Sequence, residues 1–494
     1  ILTFLLSGIV FSLNAQSPDI EWQRSYGGIT DDELHVIIQT TDNNFIFGGN
    51  VSNSPSGNLT EDVVPSYQFD YYFIKLDEDG NEIWQRSFGG SNDDRLRAMS
   101  ATPDGGFIAG GYSYSNATGD KSENLIGPNG EADYWIIKCD AAGEIEWEES
   151  YGGDERDQLY TMILLNDGYL ISGYSSSSAS GDKSEGVVVL PKNYDWWIIK
   201  IDFSGNIIWD QTIGGSKNDY PNDLCIANDG GYIVAGNSLS GTSGDKTEAN
   251  MGAGGTGDLW IIKLDTDGNI VWQNTIGGHL HEELPEIVAI PTGGYAIETT
   301  SKSPASGDKS ENNYTTSVPD YWVLKIDNSG NVVWENTIWA GYYEYSPAIV
   351  LSPDGGFLLA GQSGSNAGGD KTENNYGGGG GFDLDHWIIK LDASGNIVWD
   401  KTIGANLHEF FTDAFTDPDG SYYLGGYSYS GVNGLKTDPA FGGADYWIVK
   451  LEPDCDELLS TVTVDGPLSF CKGSSVTLTS DDVGYIYQWK KMVL

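Results

Sequence analysis

The sequence predicts an all-β protein: a seven-bladed β-propeller built from four-stranded antiparallel blades. Two patterns carry this prediction, because one segment of about 62 residues recurs along most of the chain and each copy contains four strand-like runs. A third observation is that the first and last copies are incomplete in complementary ways. The 66 glycines and 39 % hydrophobic residues are typical of many short strands joined by tight turns.

The repeat is marked by a tryptophan at the end of a motif whose clearest copy is DLWIIKLDTDGNIVW. Seven such tryptophans follow one another at intervals of 62 to 65 residues: Trp22, Trp84, Trp147, Trp209, Trp272, Trp334 and Trp399. The segment ending in WIIK also occurs seven times, in slightly different forms. A period this regular indicates one supersecondary unit repeated seven times.

Each period contains four strand-like runs with no room for a crossover helix. In one unit we expect strands at residues 223–227, 231–236, 258–265 and 269–276. The last two flank DTDG, in which an aspartate opens and a glycine closes a tight hairpin turn. Four sequential strands therefore form an antiparallel meander, with the first strand innermost and the tryptophan strand outermost.

The two ends of the chain predict how the ring closes. The first copy begins at residues 19–22 with only its fourth strand, and the last copy stops at Leu451 after its third strand. Joined, they complete a seventh blade. An outer strand from the N-terminus paired with the C-terminal blade hides the sheet edges that an open stack would expose.

The segments outside the repeats predict the domain organisation and the cellular location. Residues 1–15 have the apolar run and small-residue end of a secretory signal peptide, cleaved near Ala15, and no later segment is apolar enough to cross a membrane. The propeller is assigned to residues 16–452, a linker to 453–465 and a further module to 466–494. Cys139 and Cys225 fit buried apolar positions, whereas Cys455 and Cys471 could pair with each other or with a partner.

The net charge of −47 makes nucleic acid and anionic membrane unfavourable partners. Such a surface attracts cations or basic partners. The simpler interpretation is a solvated acidic coat that keeps a secreted protein soluble.

The order GGYIVAG, long loop, DYWIIKLD, turn, GNIVW resembles the Kelch-type blade. It is still more similar to the repeat propellers that Gram-negative bacteria send to their surface through the type IX secretion system. The segment after residue 465 resembles the first strands of an immunoglobulin-like module, with Cys471 and Trp489 at core positions. These resemblances imply a secreted or outer-surface protein, monomeric within a longer multidomain chain.

A second resemblance concerns LDTDGNIVW, which is similar to the tryptophan-docking motif of quinoprotein dehydrogenases. Those propellers usually have eight blades and hold a quinone with calcium. This chain has a longer period, seven blades and no CxxCH haem motif.

A carboxylate stands ten positions after each marker tryptophan, just before the expected innermost strand. The seven are Asp32, Asp94, Asp157, Asp219, Glu282, Glu344 and Glu409. Ring closure would gather them at one mouth of the channel, where they could bind a divalent cation such as calcium or a basic peptide. The favoured alternative is structural: each accepts backbone N–H groups of its turn or pairs with a lysine of the WIIK run.

Two loops break the sevenfold regularity and are the candidate sites. His279, His281, Glu282 and Glu283 form one cluster of possible metal ligands, although HLHEEL lacks the second histidine of HExxH. The other loop replaces TIGG by TIWAGYYEYSP and carries a candidate ligand-binding set: Trp339, Tyr342, Tyr343, Glu344 and Tyr345. Aromatic faces beside a carboxylate suit sugar rings, whereas blade-on-blade packing is the competing explanation.

The sequence predicts a secreted or cell-surface, non-catalytic binding propeller whose extracellular glycan or protein ligand sits in the loops at one channel mouth. No catalytic residue and no cofactor are assigned, because GxSxG, P-loop and dinucleotide motifs are missing. Two alternatives stay open. One is an extracellular metal-dependent enzyme, whether hydrolase, lyase or quinoprotein-like oxidoreductase, that uses the mouth carboxylates; the other is a structural spacer in a large adhesin.

Overall fold

The structure is a computed structural model that confirms the predicted seven-bladed all-β propeller. The unit Asp19–Pro453 is compact and contains 28 strands arranged in seven four-stranded antiparallel sheets. The structure describes residues 17–52, 54–63, 68–128, 130–188, 193–252, 255–315, 318–378, 383–453, 462–464 and 478–480. Within these residues no helix is long and apolar enough to span a bilayer.

The blades follow the chain, and each runs from an inner strand through a second and a third strand to an outer strand. Blade 1 comprises β2 (Asp32–Gln39), β3 (Phe45–Val51), β4 (Asp70–Leu76) and β5 (Glu82–Phe88). Blade 2 comprises β6 (Asp94–Ala101), β7 (Phe107–Ser113), β8 (Asp133–Cys139) and β9 (Ile145–Tyr151). Blade 3 comprises β10 (Asp157–Leu164), β11 (Tyr169–Ser175), β12 (Asp195–Ile201) and β13 (Ile207–Ile213).

Blades 4 to 6 repeat the same plan. Blade 4 comprises β14 (Asp219–Ile226), β15 (Tyr232–Ser238), β16 (Asp258–Leu264) and β17 (Ile270–Ile276). Blade 5 comprises β18 (Glu282–Ala289), β19 (Tyr295–Ser301), β20 (Asp320–Ile326) and β21 (Val332–Ile338). Blade 6 comprises β22 (Glu344–Leu351), β23 (Phe357–Ser363), β24 (Asp385–Leu391) and β25 (Ile397–Ile403).

Blade 7 closes the ring with strands from both ends of the propeller, as predicted. It comprises β26 (Glu409–Thr416), β27 (Tyr422–Ser428), β28 (Asp445–Leu451) and, as outer strand, β1 (Ile20–Tyr26). The amide of Glu452 donates to the carbonyl of Asp19 at 2.9 Å, and Trp447 Nε1 donates to Gln23 Oε1 at 3.0 Å. The inner strands of consecutive blades contact one another, and β26 contacts β2, so the ring is complete.

The inner strands begin four residues earlier than the sequence pattern suggests. In blade 4 the strand starts at Asp219 rather than at residue 223, because Asp219 already pairs with Ser238 of β15. A bulge between Pro221 and Asp223 interrupts the ladder, and this irregularity hides the alternation of side chains. The predicted mouth carboxylates are therefore the first residues of the inner strands, not residues that precede them.

The third strands form the core because each is covered on both faces by neighbouring blades. Every residue of β16 is buried, and the corresponding tryptophan is fully buried in six blades: Trp135, Trp197, Trp260, Trp322, Trp387 and Trp447. Parts of two blades combine in each hydrophobic cluster; Trp135 of blade 2, for example, belongs to the same cluster as Phe73 of blade 1. A strand buried on both faces requires the continuous apolar run seen in WIIK.

Six of the seven marker tryptophans pack on the hairpin turn of the next blade. Trp209 of blade 3 lies over Gly268, which has φ +85° in the DTDG turn of blade 4, and its Nε1 donates to Thr266 at 3.2 Å. The turn itself is closed by Asp265, whose Oδ1 accepts the amides of Asp267 and Asn269. The repeated motif thus joins neighbouring blades as well as the strands within one blade.

The GDK loops fold back onto their own blades. Lys246 is buried above Trp260, 5.0 Å from the ring centroid, and its Nζ donates to Thr275 Oγ1 at 2.7 Å. Burial lowers the pKa of Lys246 to about 8. Glu248 accepts the amide of Thr275 at 2.7 Å, so the loop is fixed across the outer strand by two successive contacts.

In six blades the aspartate that opens the third strand accepts a backbone amide of the preceding loop. Asp258 Oδ2 accepts the amide of Met251 at 2.5 Å, and the same carboxyl lies against Gly277 of the GG pair. A Cβ on Gly277 would stand 2.5 Å from Asp258 Cγ. This close approach explains why glycine follows the outer strand in most blades.

Several predictions fall on residues outside those that the structure describes. They are the signal peptide at residues 1–15, most of the linker at 453–465, and Cys455 and Cys471. In the segment assigned to the immunoglobulin-like module, only β30 (Leu478–Ser480) is described, and it pairs antiparallel with β29 (Val462–Val464).

The packing of the GG pair gives a direct test of blade geometry. We expect Gly277→Ala to lower the free energy of unfolding by about 1–3 kcal/mol, because the new methyl group overpacks the buried Asp258 carboxyl. Gly241→Ala is the matched control, since a Cβ there meets no atom within 4 Å, and its effect should stay within about 1 kcal/mol. Chemical denaturation followed by tryptophan fluorescence measures both, and equal stability of the two variants would contradict the prediction.

Candidate functional site

The seven predicted mouth carboxylates are fully buried, and six of them bind the backbone of the loop that leads into the inner strand. All seven have no exposed surface: Asp32, Asp94, Asp157, Asp219, Glu282, Glu344 and Glu409. Asp219 is representative, because its Oδ2 accepts the amide of Gly215 at 2.7 Å and the hydroxyl of Ser240 at 2.9 Å. Corresponding amide bonds occur at every position of the ring except Glu344.

The ring carboxylates do not pair with the lysines of the WIIK run. Five of those lysines instead reach an aspartate in the turn between the inner and second strands; Lys75 Nζ, for example, lies 2.8 Å from Asp42 Oδ2. At least one oxygen of each ring carboxylate is thus engaged by the GG loop or by serine hydroxyls. Burial raises the pKa of Asp32 to about 8 and that of Asp94 and Asp157 to about 6.

Glu344 is the exception because the GG pair before it is replaced by Trp339 and Ala340. Its Oε1 accepts the hydroxyls of Ser363 and Ser365 at 3.0 and 2.8 Å. Burial, followed by the charge of nearby Asp320, raises the pKa of Glu344 well above its ordinary value. The amide of Gly341 is satisfied by Ser365 rather than by this carboxylate.

The four residues proposed as metal ligands do not come together in the structure. Glu282 is buried in the ring, whereas Glu283 faces the channel mouth next to His281, with 3.8 Å between His281 Nδ1 and Glu283 Oε1. His281 Nδ1 accepts the amide of Gly257 at 3.1 Å, and His279 lies in the loop before the strand. Among the described residues, no three His, Cys, Asp or Glu side chains form a group that could hold a metal ion.

The predicted aromatic inlet divides into two separate stacks. Trp339 stacks on Tyr314 at a centroid distance of 5.1 Å, and Tyr343 stacks on Tyr345 at 5.5 Å. Tyr342 is 46 % exposed. The first stack borders a pocket of about 420 Å³ that also contains Glu311 and Asp370, away from the channel.

A larger aromatic site, which was not predicted from the sequence, consists of four residues that we call the tyrosine groove: Tyr160, Tyr174, Tyr194 and Tyr220. Tyr174 is in ring contact with each of the other three, at centroid distances of 4.8 to 5.5 Å, and Tyr194 also contacts Tyr220. All four side chains are half-buried. The adjoining pocket of about 460 Å³ is lined by three of these tyrosines together with Asn237, His281 and Glu283.

Two of the groove residues, Tyr174 and Tyr220, occupy a pair of positions that the repeat leaves variable. Each inner strand has a variable residue directly after the invariant carboxylate, and it pairs with the penultimate residue of the second strand. The seven pairs are Glu33 with Asn50, Arg95 with Tyr112, Gln158 with Tyr174, Tyr220 with Asn237, Glu283 with Thr300, Tyr345 with Gln362, and Phe410 with Tyr427. Comparing the copies column by column would have revealed these positions.

The groove opens into the central channel, which contains a cavity of about 430 Å³. Tyr160, Asn222 and Leu284 line both spaces, so a ligand in the groove can extend into the channel. The lining comes mainly from the middle of the inner strands, at and next to the bulge. The cavity therefore combines one short segment from every blade.

One side of the channel carries Arg97 and His35. Arg97 Nη2 donates to Tyr112 Oη at 3.2 Å, and its guanidinium lies 5.6 Å from the centroid of Tyr160. Burial lowers the pKa of His35 to about 4, although Glu33 stands 3.5 Å away and opposes this shift. Three carboxylic acids line the same cavity from blades 4, 5 and 7: Asp223, Glu286 and Asp413.

Comparison with known proteins shows similarity only at the level of fold. No protein-family model and no curated protein matches this sequence. The WD40 domain of Neurospora crassa Pan2 aligns over 88 % of this chain and 97 % of its own, with 10 % identity and a TM-score of 0.44. A protein of unknown function from Dyadobacter fermentans aligns over 87 % and 99 %, with 9 % identity and a TM-score of 0.42.

An enzyme is also among the similar structures. Quinohemoprotein alcohol dehydrogenase from Comamonas testosteroni aligns over 89 % of this chain and 78 % of its own, with 12 % identity and a TM-score of 0.42. Identities and scores of this size do not transfer an activity from one propeller to another.

The buried acids predict how stability depends on pH. Burial raises the folded-state pKa of Asp32 to about 8 and of Asp133, Asp195 and Asp258 to about 7, from 3.8. A raised folded pKa contributes stability that is present at low pH and is lost as the pH rises through the folded pKa. We therefore expect the melting temperature to be higher at pH 5.5 than at pH 8.0, by about 5 °C or more.

Calorimetry at the two pH values measures this difference. Asp32→Asn should reduce it, because the amide keeps the shape of the side chain but does not titrate. A melting temperature that is equal at both pH values, or higher at pH 8.0, would show that the buried acids do not control stability in this range.

Proposed function

We propose that this chain is a non-catalytic binding propeller that takes an extracellular ligand, most favourably a glycan, at the channel mouth. The observation that carries the proposal is the tyrosine groove, which lies where the repeated frame varies and which opens into the channel. A frame conserved among the copies, with variable positions gathered at one mouth, suits recognition rather than a single chemical step.

The chemistry of the groove favours sugar rings. Half-buried tyrosines present rigid apolar faces together with hydroxyl groups, and sugars offer apolar C–H faces bordered by hydroxyls. Asn237, His281 and Glu283 supply polar groups at the edge of the same pocket. A protein ligand with exposed aromatic or polar side chains is the other partner that this surface could accept.

The second aromatic stack extends this surface. Tyr345 and Glu283 occupy equivalent positions in neighbouring inner strands, each directly after the ring carboxylate. The Tyr343–Tyr345 stack and the tyrosine groove therefore border the same mouth. A chain of several sugar units would have more than one aromatic contact there.

The alternative of an enzyme that uses the carboxylate ring has less support in the geometry. The ring side chains have no exposed surface, and they accept amides and hydroxyls of the frame. A spacer role in an adhesin is compatible with the fold, but it would not explain an aromatic groove that opens into a cavity.

The location and wider context of the propeller belong to the same proposal. A signal-peptide-like segment at residues 1–15, the acidic surface and the repeat resembling Kelch-type and type IX-secreted propellers support a secreted or outer-surface protein. The resemblance of residues 466–494 to an immunoglobulin-like module supports a monomeric unit within a longer chain.

Glycan binding is tested by an array of bacterial and host glycans, followed by titration of any hit. We expect Tyr220→Ala to weaken binding by about tenfold or more, because one stacking face is worth roughly 1–2 kcal/mol. Tyr376→Ala is the control, since this tyrosine is 43 % exposed and lies outside the groove. Binding that persists in Tyr220→Ala and Tyr174→Ala would move the site elsewhere; a blank array with capture of a defined protein would favour the protein ligand.

Secretion is tested by the N-terminus of the protein that cells produce. Cleavage after Ala15 predicts that the extracellular or surface form begins at Gln16. Mass spectrometry of N-terminal peptides from surface and cytosolic fractions measures this. Peptides that retain residues 1–15, found only in the cytosol, would contradict the proposed location.

A further inference from the structure

Three carboxylic acids face the channel from separate blades. Asp223, Glu286 and Asp413 occupy the same position in their inner strands, immediately after the bulge. They all line the 430 Å³ cavity. In blades 1, 2 and 6 this position holds small or apolar residues, so the acids are a special feature of one side of the channel.

Two of these acids are held rigidly by backbone amides. Asp223 accepts the amides of Leu224 at 2.7 Å and of Ile287, in the next blade, at 2.9 Å. Asp413 accepts the amides of Ala414 at 2.8 Å and of Ile37 at 2.7 Å, again across a blade boundary. Their positions are therefore fixed before any ligand arrives, which lowers the entropy cost of binding.

A fourth acid, Glu298, stands behind this group without a partner. It pairs directly with Glu286 across the strands, so the two side chains project from the same face of the sheet. Glu298 has no exposed surface, and neither Oε1 nor Oε2 has a hydrogen-bond partner. The equivalent residues of the other blades are all small: Gly48, Gly110, Ser172, Ala235, Ala360 and Gly425.

An unpartnered buried carboxyl group of this kind destabilises the fold and calls for an explanation. Burial is the main cause that raises the pKa of both Glu286 and Glu298, and for Glu286 the charges of Asp223, Asp413 and Glu298 add to it. A cation entering the cavity would supply the counter-charge that the cluster lacks.

The protein itself does not supply that counter-charge. Among the described residues, none of the four acids forms an ion pair with a lysine, arginine or histidine. Arg97 lines the same cavity but is held by Tyr112 and Tyr160. The described carboxyl groups also do not converge as a metal site would require.

We propose that the acidic side of the channel binds a protonated primary amine, offered by an amino sugar or by a lysine side chain. An ammonium group directs its three N–H donors along separate directions and can meet carboxyl groups on different blades, whereas a guanidinium presents a planar fork. Phe410 and Phe411 also line the cavity and add aromatic surface for a cation. This inference goes beyond glycan binding and does not depend on it, because a neutral glycan could bind the mouth alone.

The test compares amines with neutral molecules of the same shape by isothermal titration calorimetry. n-Butylamine is paired with n-butanol, glucosamine with N-acetylglucosamine, and Gly-Lys-Gly with the same peptide carrying acetyl-lysine. In every pair for which binding is detected, we expect the amine to bind at least about tenfold more tightly than its neutral counterpart. The tighter of glucosamine and Gly-Lys-Gly identifies the source of the amine.

Glu286→Gln is the principal variant, because it keeps the side-chain shape and removes the charge. We expect it to weaken n-butylamine binding by about tenfold while melting at the same or a higher temperature, since it relieves repulsion from Asp223. Glu298→Gln provides a second, independent variant if Glu286→Gln does not fold. Glu144→Gln, at an exposed turn, is the control and should leave amine affinity unchanged.

Two results would overturn the proposal. One is equal affinity for the amine and its neutral counterpart in all three pairs. The other is amine binding that is unchanged in the folded Glu286→Gln or Glu298→Gln variant. Neither result bears on glycan binding in the tyrosine groove, which Tyr220→Ala tests separately.

Discussion

The buried carboxylate that begins each inner strand is the interaction on which the mouth and the channel depend. This carboxylate accepts an amide of the loop that follows the outer strand. It therefore fixes the connection between the outer strand of one blade and the inner strand of the next. The residue directly after it is then directed to the channel mouth, and the residues at the bulge reach the channel. The carboxylate makes this contact in six blades, so the residues next to it in the sequence can differ from blade to blade.

Most of the fold could be predicted from the sequence, because a sevenfold repeat indicates how many blades there are and how each is built. The spacing of the tryptophans gave the number of blades, and the incomplete ends gave the closure between β1 and β28. The start of the inner strands was missed, since the bulge between Pro221 and Asp223 interrupts the period-two pattern that marks a strand. The role of Lys246 above Trp260 also could not be read from the motif, because it depends on the loop folding back over its blade.

The candidate site was less accessible, for a physical reason. An irregular loop such as the one at Trp339 is easily recognised in the sequence, yet its aromatic side chains divide between two separate stacks. The tyrosine groove is assembled from blades 3 and 4, and the acids of the channel from blades 4, 5 and 7. Each of these residues looks ordinary within its own repeat. Only the comparison of equivalent positions, such as Glu298 against six small residues, carries a signal.

The closure of the ring has a mechanical consequence. Asp19 and Glu452 are hydrogen-bonded neighbours, so the chain enters and leaves the propeller at one point on its rim. Tension between the two ends would act on the β1–β28 pair from the end at which Ile20 faces Leu451. In an antiparallel pair loaded at one end, the hydrogen bonds break one after another rather than together. The propeller would therefore open at low force by peeling its N-terminal strand, while the other six blades keep their own four strands.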